Sequence, residues 1–493
     1  MYILAIDQGT TGSTSMVVDS KSFKIVSKSN TEFKQVLPEP GIVEHNLDDI
    51  WESVKISTLS AIKKAKIKPS EIQCIGITNQ RETISAFTKS GAPIENAIVW
   101  QDRRTIDYCE QLKKQNREDF IKEKTGLTLD PYFSGTKINW LIKNSNKVKE
   151  QLEKKDCLFG TIDSFLTYRL TANQSHVTEP SNASRTLLMD ISNCEWSQEL
   201  CDLFEVPMSS LPSIKESFSL FGKTKNVDFL PDGIPITGIL GDQQSALFGQ
   251  GGIEAGDLKC TYGTGAFALI NTGKNIKYSK NGLLTTVAFK HQGKPCYAIE
   301  GSSYIAGAAV QWLRDNLNIF NSASEIEEFS KKISNFEGME NLCFYPYFTG
   351  IGSPHWKPEA LASILGISRD TSKYHISLSC LESIALTIDD LIKAMEKDTQ
   401  LEINKLRVDG GAVVNNLLNT LQASFSNLIV ERPSVIETTA FGAILAAAVG
   451  MNLIDMNSVK NSSTIESTFS PVDSKYFLKK KNTWKKNQAK IYN

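Results

Sequence analysis

MYILAIDQGTTGST, residues 1–14, decides how the chain is read. Tyr2 to Ile6 is a short apolar run with β-branched members, and Asp7, Gln8 and Gly9 interrupt it too soon for a helix, so it predicts a buried strand. Asp7 then falls where the strand ends. Gly9, Thr10, Thr11, Gly12 and Ser13 follow as a small-residue turn whose amides and hydroxyls suit a phosphate, with a carboxylate alongside for the magnesium that accompanies a nucleotide. The same letters also describe an ordinary Gly/Thr β-hairpin in which Asp7 is a turn acid. The rest of the chain has to separate the two readings.

At 493 residues the chain exceeds what a single core supports, so two or more domains are expected. A net charge of −1 provides no field for nucleic acid or an anionic membrane. No basic region precedes the first apolar run, so no secretory leader is expected, and the apolar stretch Ala440–Ile454 is too short to span a bilayer. The nine cysteines contain no C-x-x-C pair, which disfavours both a zinc site and a disulfide framework and fits a reducing cytoplasm.

Strands and helices alternate along the first half. A helix is predicted over Asp48–Lys66, a strand over Ile72–Ile77 and a further apolar run over Ala97–Trp100. Each strand ends in polar residues: Asn79, Gln80, Arg81 and Glu82 after one, Gln101 to Arg104 after the other. In a mostly parallel α/β sheet, ligands gather beyond such strand ends. One charged helix is expected over Thr105–Thr125, and Asn182–Ile191 offers no obvious catalytic group. Ile234–Leu240 is again a strand capped by an acid, Asp242, with Gln243 beside it.

Past Gly249–Gly252 the pattern restarts. Leu258–Thr261 runs into Tyr262, Gly263, Thr264 and Gly265 and then a second apolar run, Ala266–Ile270, echoing the opening; Leu406–Val408 leads into Asp409, Gly410 and Gly411. Two related domains facing across a cleft are therefore expected, 1–250 and 251–493. Helices are predicted over Ser302–Leu317, Asn415–Phe425, Tyr374–Asp398 and Thr439–Gly450. Lys475–Lys486 reads as a docked terminal helix with a solvated basic face. No P-loop, G-x-G-x-x-G, H-E-x-x-H or G-x-S-x-G is present, since position 217 is Ser where Gly222-Lys223-Thr224 would need Gly.

These residues carry a resemblance. IDQGTT (6–11), YGTGAF (262–267) and VDGGAVVNN (408–416) resemble the three nucleotide-embracing segments of the actin-like ATPase superfamily. Within it, TNQRETI (78–84), AIVWQ (97–101), DPYFSGTK (130–137), NASRT (182–186), GDQQSALFGQ (241–250), NGLLTT (281–286), QWLRD (311–315) and RVDGGA (407–412) resemble FGGY carbohydrate kinases, specifically those acting on glycerol. The resemblance implies two actin-like (ribonuclease H-like) α/β domains, each a mixed sheet flanked by helices. It implies transfer of a phosphoryl group from ATP, with Mg2+, to glycerol, giving sn-glycerol 3-phosphate.

By that resemblance Arg81 and Glu82 bind polyol hydroxyls, Trp100 and Phe267 pack on the carbon side, and Tyr132 and Gln243 add polar contacts. Asp242 is implied as the base that takes the hydroxyl proton. Thr10, Thr11, Gly12 and Thr264 are implied to cradle phosphates, Asp7 to lie near magnesium, and Gly307, Gln311, Gly411 and Asn415 to line the nucleoside pocket. A homo-oligomer, dimer or tetramer, also fits the resemblance. Many members carry a basic residue just after the first phosphate turn, where Ser13 and Thr14 stand here. That departure keeps a weakly catalytic ATP-binding scaffold open as an alternative, beside a kinase for another polyol or a ketose.

Overall fold

The computed structural model describes residues 1–491. Its two large sheets have the same plan. The first takes β1 (Tyr2–Gln8), β2 (Gly12–Asp19), β3 (Ile25–Glu32), β4 (Ile72–Asn79), β5 (Gly222–Lys223) and β6 (Pro235–Gly241) in the order β5-β6-β4-β1-β2-β3. The second takes β7 (Leu258–Tyr262), β8 (Ala266–Gly273), β9 (Leu284–His291), β10 (Lys294–Ser303), β11 (Lys405–Asp409), β12 (Ile429–Pro433) and β13 (Ile465–Phe469) in the order β9-β10-β8-β7-β11-β12-β13. In each, a hairpin (β1–β2, β7–β8) adds a third antiparallel strand on one side and two parallel strands on the other. The repeated strand–Gly/Thr–strand signal is thus a repeated topology.

β1 and β4 are central because apolar residues cover both their faces; Ile3 to Ile6 are wholly buried. The opening is indeed a hairpin, with Asp7 opposite Thr14 and Gln8 opposite Ser13, closed by Gly9 N–H donating to Gly12 O at 2.9 Å. Being a hairpin and ending a parallel strand are compatible, so the two readings of residues 1–14 do not exclude each other. A Cβ on Gly12 would lie 2.8 Å from Thr31 O of β3, so the turn has no room for a side chain there.

Helix α1 (Leu47–Ala65) starts at Asn46, whose side chain accepts from Asp48 N and Asp49 N, and buries Ile50, Val54, Ala61 and Ile62 under the first sheet. Helix α2 (Asp242–Gly249) leaves β6 directly, α3 (Gly307–Asp315) follows β10, and α4 (Lys373–Thr399), α5 (Asn416–Ser426), α6 (Thr438–Gly450) and α7 (Lys475–Ile491) complete the second half. The second half lends the first a helix: α6 lies on β6, β4 and β1 and against α2. Glycine makes this possible. A Cβ would stand 2.0 Å from Ala443 O at Gly76, 2.3 Å from Ala447 N at Gly238 and 1.9 Å from Ser245 O at Gly442.

Three expectations change. The segment 105–125 is two helices, Ile106–Lys114 and Glu118–Thr125, because Asn116 turns at φ 56°. The segment from Ser302 is still strand to Ser303, and its helix begins only at Gly307. The terminal helix does not keep its basic side chains in solvent throughout: Lys480 is buried on Glu382 at 2.9 Å, and Lys481 pairs with Asp389 at 2.6 Å on α4.

Overpacking at the glycine crossing gives a direct check. Gly442→Ala should lower stability by about 1–3 kcal/mol, read from urea unfolding; an unchanged midpoint would show that α6 and α2 are not held at backbone contact.

Candidate active site

The site follows from strand adjacency. Asn79, the last residue of β4, pairs with Gln8 of β1 and with Gly241 of β6, all parallel, so the residues just beyond these strands emerge together. They are the Gln80–Glu82 segment and Asp242, with Asp7, the last residue but one of β1, beside them. Glu82 sits at φ 61°, a left-handed conformation that costs a non-glycine residue about 1–3 kcal/mol. The turn is held by Thr83 N–H donating to Arg81 O at 2.7 Å and by Ser134 Oγ donating to Glu82 O at 2.8 Å.

Four buried charges surround that turn. Arg185 donates through Nε to Glu82 at 2.5 Å and through Nη2 to Glu300 at 2.7 Å, while Arg81 donates through Nη1 to the other oxygen of Glu300 and to Gln244 Oε1. Glu300 belongs to β10, so the second sheet completes a network begun by the first. Burial pushes the Glu300 carboxyl up, but Arg185 and Arg81 outweigh it and hold the group below its ordinary value; at Glu82 burial wins and the shift is upward. Arg81 Nε lies 3.0 Å from Asp242 Oδ1, an ion pair without hydrogen-bond alignment.

Asp242 opens α2 with its side chain partly exposed, and Oδ1 accepts from Gln243 N at 2.7 Å. Beneath it, Gly241 N–H donates to Ser181 Oγ at 2.8 Å, and Ser181 is tied in turn to Glu179. Burial, and then the charge of Asp242, push Asp7 up to about 7. Among the described residues no cation pairs with Asp7, and no group of three or more His, Cys, Asp or Glu could hold a metal alone. Two neighbouring carboxylates do fit a magnesium ion that keeps waters and takes its other oxygens from phosphate.

Trp100, Tyr132 and Phe267 form the apolar wall. Trp100 meets Tyr132 edge-on at 5.6 Å and Phe267 of β8 at 6.4 Å, spanning the two halves. Trp100 Nε1 donates to Thr10 Oγ1 at 2.9 Å, which binds the wall to the first turn. Thr11 and Gly12 complete that turn, and the Thr11 carbonyl accepts from Phe33 N at 3.3 Å. The departure at Ser13–Thr14 divides between two faces: Ser13 is buried on Ser53 at 2.7 Å, whereas Thr14 shares the face of Asp7 and accepts from Asn30 Nδ2 at 3.0 Å.

The remaining expected residues lie around the second hairpin. Gly307 N–H donates to Gly263 O at 3.0 Å and Ala308 N–H to Thr264 O at 3.1 Å, so the start of α3 is spent on fixing that turn. Gln311 and Thr264 are exposed. Asn415 caps α5, accepting from Leu418 N at 2.9 Å. The constrained glycine is Gly410, at φ 91° and 2.5 Å from Tyr262 O by its would-be Cβ, while Gly411 faces open space. Sequence reasoning missed Arg185, Glu300, Lys259 and Gly410. Arg185 stood inside the quoted NASRT, and only its total burial reveals its role.

Two family models match the chain: the N-terminal domain of the FGGY family of carbohydrate kinases over residues 2–249 and its C-terminal domain over residues 258–451. A glycerol kinase of Bdellovibrio bacteriovorus is 49% identical over 91% of this chain and 90% of its own length, and one from Staphylococcus haemolyticus is 45% identical over 95% and 94%. The crystal structure of Plasmodium falciparum glycerol kinase with ADP superposes with a TM-score of 0.91 at 35% identity, covering 100% of this chain and 98% of that one. A ligand-bound xylulose kinase from Lactobacillus acidophilus, at 19% identity and a TM-score of 0.88 over 99% and 97%, shares the fold.

Two outcomes follow from the buried charges. Glu300→Gln leaves two buried guanidinium groups short of a carboxylate and should cost about 3 kcal/mol or more in urea unfolding; a cost below about 1 kcal/mol would mean that the network is solvated. Burial pushes Glu179 up to about 7 and Asp163 up to about 6. Both keep protons in the fold that the unfolded chain releases near pH 4, so their stabilisation is full below that pH and lost as pH rises toward 7. Between pH 5 and 8 Glu179→Gln should therefore lose less melting temperature, or gain more, than the unsubstituted protein; identical slopes would contradict this.

Proposed function

Because the chain belongs to the FGGY family of carbohydrate kinases, we propose that it transfers the γ-phosphoryl group of ATP to glycerol, forming sn-glycerol 3-phosphate. The observation that carries the reading is the meeting of Arg81, Glu82 and Asp242 beyond two neighbouring parallel strand ends and beside an aromatic wall. A guanidinium donor next to a carboxylate acceptor matches adjacent hydroxyls that both give and take hydrogen bonds. Trp100 and Phe267 cover the carbon side of a short polyol. Tyr132 and Gln243 are the further polar contacts.

Asp242 takes the proton of the terminal hydroxyl as its oxygen attacks phosphorus, a role that needs reach and an ionised carboxylate. Arg81 Nε stands 3.0 Å from its Oδ1. Thr10, Thr11, Gly12 and Thr264 hold phosphates on the two hairpin turns, and Gly307, Gln311, Gly411 and Asn415 border the nucleoside. Asp7, with Asp242, is the group that would hold Mg2+, which when bound offsets phosphate charge. Among the described residues no helix is long and apolar enough to cross a membrane. All nine cysteines are buried free thiols, which supports a cytoplasmic setting.

The test is ADP release with ATP and magnesium on glycerol, dihydroxyacetone, xylulose and gluconate. Turnover on glycerol, cut at least 1,000-fold in Asp242→Asn, is expected. Turnover only on a larger sugar would reassign the substrate. ATP binding without turnover on any would favour the scaffold reading left open by Thr14. Glycerol at a hundredfold excess over its dissociation constant should also stabilise the fold by about 2.7 kcal/mol, measured as a rise in melting temperature.

A further inference from the structure

The second residue of β7 is a lysine where the strand is otherwise closed to water. Lys259 is 0% exposed, between Leu258 and Cys260, which are also buried. Its ammonium donates to Gln243 Oε1 at 2.5 Å and to Thr261 Oγ1 at 2.8 Å. Among the described residues no carboxylate lies within ion-pair distance of it. The charges it senses are Asp409 and Asp242, which favour the cation, and Arg81, which opposes it; burial lowers its pKa. A well-packed apolar residue would fill the place at lower cost, since a buried charge held by neutral oxygens is expensive.

The lysine dictates the orientation of an amide. An ammonium has three donors and no acceptor, so the Gln243 atom that faces it has to be the oxygen. The Gln243 NH2 is thereby turned away from Lys259. Among the described residues it donates to no protein atom, and Gln243 keeps 7% exposure at the start of α2, beside Asp242. The hydroxyl oxygen that gives its proton to Asp242 gains negative charge as it attacks, and such an oxygen is stabilised by donors and opposed by acceptors.

We propose that Lys259 is a positioning residue that fixes Gln243 as a pure hydrogen-bond donor to the polyol hydroxyl next to Asp242. The proposal rests on the kinase reading and adds a residue of the second sheet to a polyol site otherwise built mainly on the first.

The test separates orientation from structure by the two Michaelis constants, run on whichever polyol of the panel the unsubstituted protein phosphorylates. Lys259→Met should raise the polyol KM at least tenfold and leave the ATP KM within about twofold, whereas a lysine needed only for folding would lower the melting temperature without dividing the two constants. Adding Lys259→Met to Gln243→Ala should cause no further rise in polyol KM. Gln243→Glu keeps the acceptor facing Lys259 and removes the outward donor, so it should fold with an undiminished melting temperature and lose at least tenfold in kcat/KM; this variant decides the matter even if Lys259→Met does not fold. Multiplying effects in the double variant, or a Gln243→Glu enzyme as active as the parent, would overturn the assignment. Absence of glycerol turnover with another polyol accepted counts against the substrate, and not against Lys259.

Discussion

Glu300 is the carboxylate on which the site depends. It lies on a strand of the second sheet, yet both its oxygens are taken by arginines of the first half, Arg81 and Arg185. Two guanidinium groups and two carboxylates, all buried, balance one another there. None could be held alone, since an unpaired charge in so dry a place costs several kcal/mol. The network supports an unfavourable backbone at Glu82 and aims Arg81 at Asp242. On the proposed reading the groups that meet the polyol are held by buried ion pairs, which is how positions within a fraction of an ångström are kept.

The glycines serve another requirement, that elements from the two halves of the chain meet at backbone distance. Helix α6 reaches the first sheet from the second half of the chain through backbone contacts at Gly76, Gly238, Gly249 and Gly442. Such contacts leave no interdigitating side chains to unlock.

Much of this was legible in the sequence because strand ends announce themselves. Asp7, Arg81–Glu82 and Asp242 each follow an apolar run within a few residues, and parallel pairing then brings them together without further information. The duplicated hairpin was legible for the same reason. Arg185, Glu300 and Lys259 were not. Each sits in a stretch whose local pattern looks ordinary, and its meaning comes from burial against residues 100 or more positions away or, for Lys259, against the start of helix α2. The split at Asn116 and the late start of α3 were missed because a left-handed asparagine and a strand running on to Ser303 leave only faint local signals. The basic terminal helix misled for a related reason: its lysines find acids on α4 that no local pattern can announce.

The electrostatics of the cleft give the uncharged Thr14 a context. Burial, with the charge of Asp242 adding to it, raises Asp7 to about 7, and Asp409 adds a third carboxylate near Lys259. A bare triphosphate would meet repulsion there, and neither Thr14 nor its partner Asn30 supplies a charge to offset it. The cations already in place are committed: Arg81 and Arg185 to carboxylates, Lys259 to the Gln243 amide. On the proposed reading the nucleotide therefore has to bring its own cation, and the carboxylates that repel ATP alone are those that would receive it with magnesium. Charge that is costly in the empty cleft becomes favourable once the metal–nucleotide complex enters, so discrimination for the complex over the free nucleotide follows from the acids and needs no basic residue on the first turn.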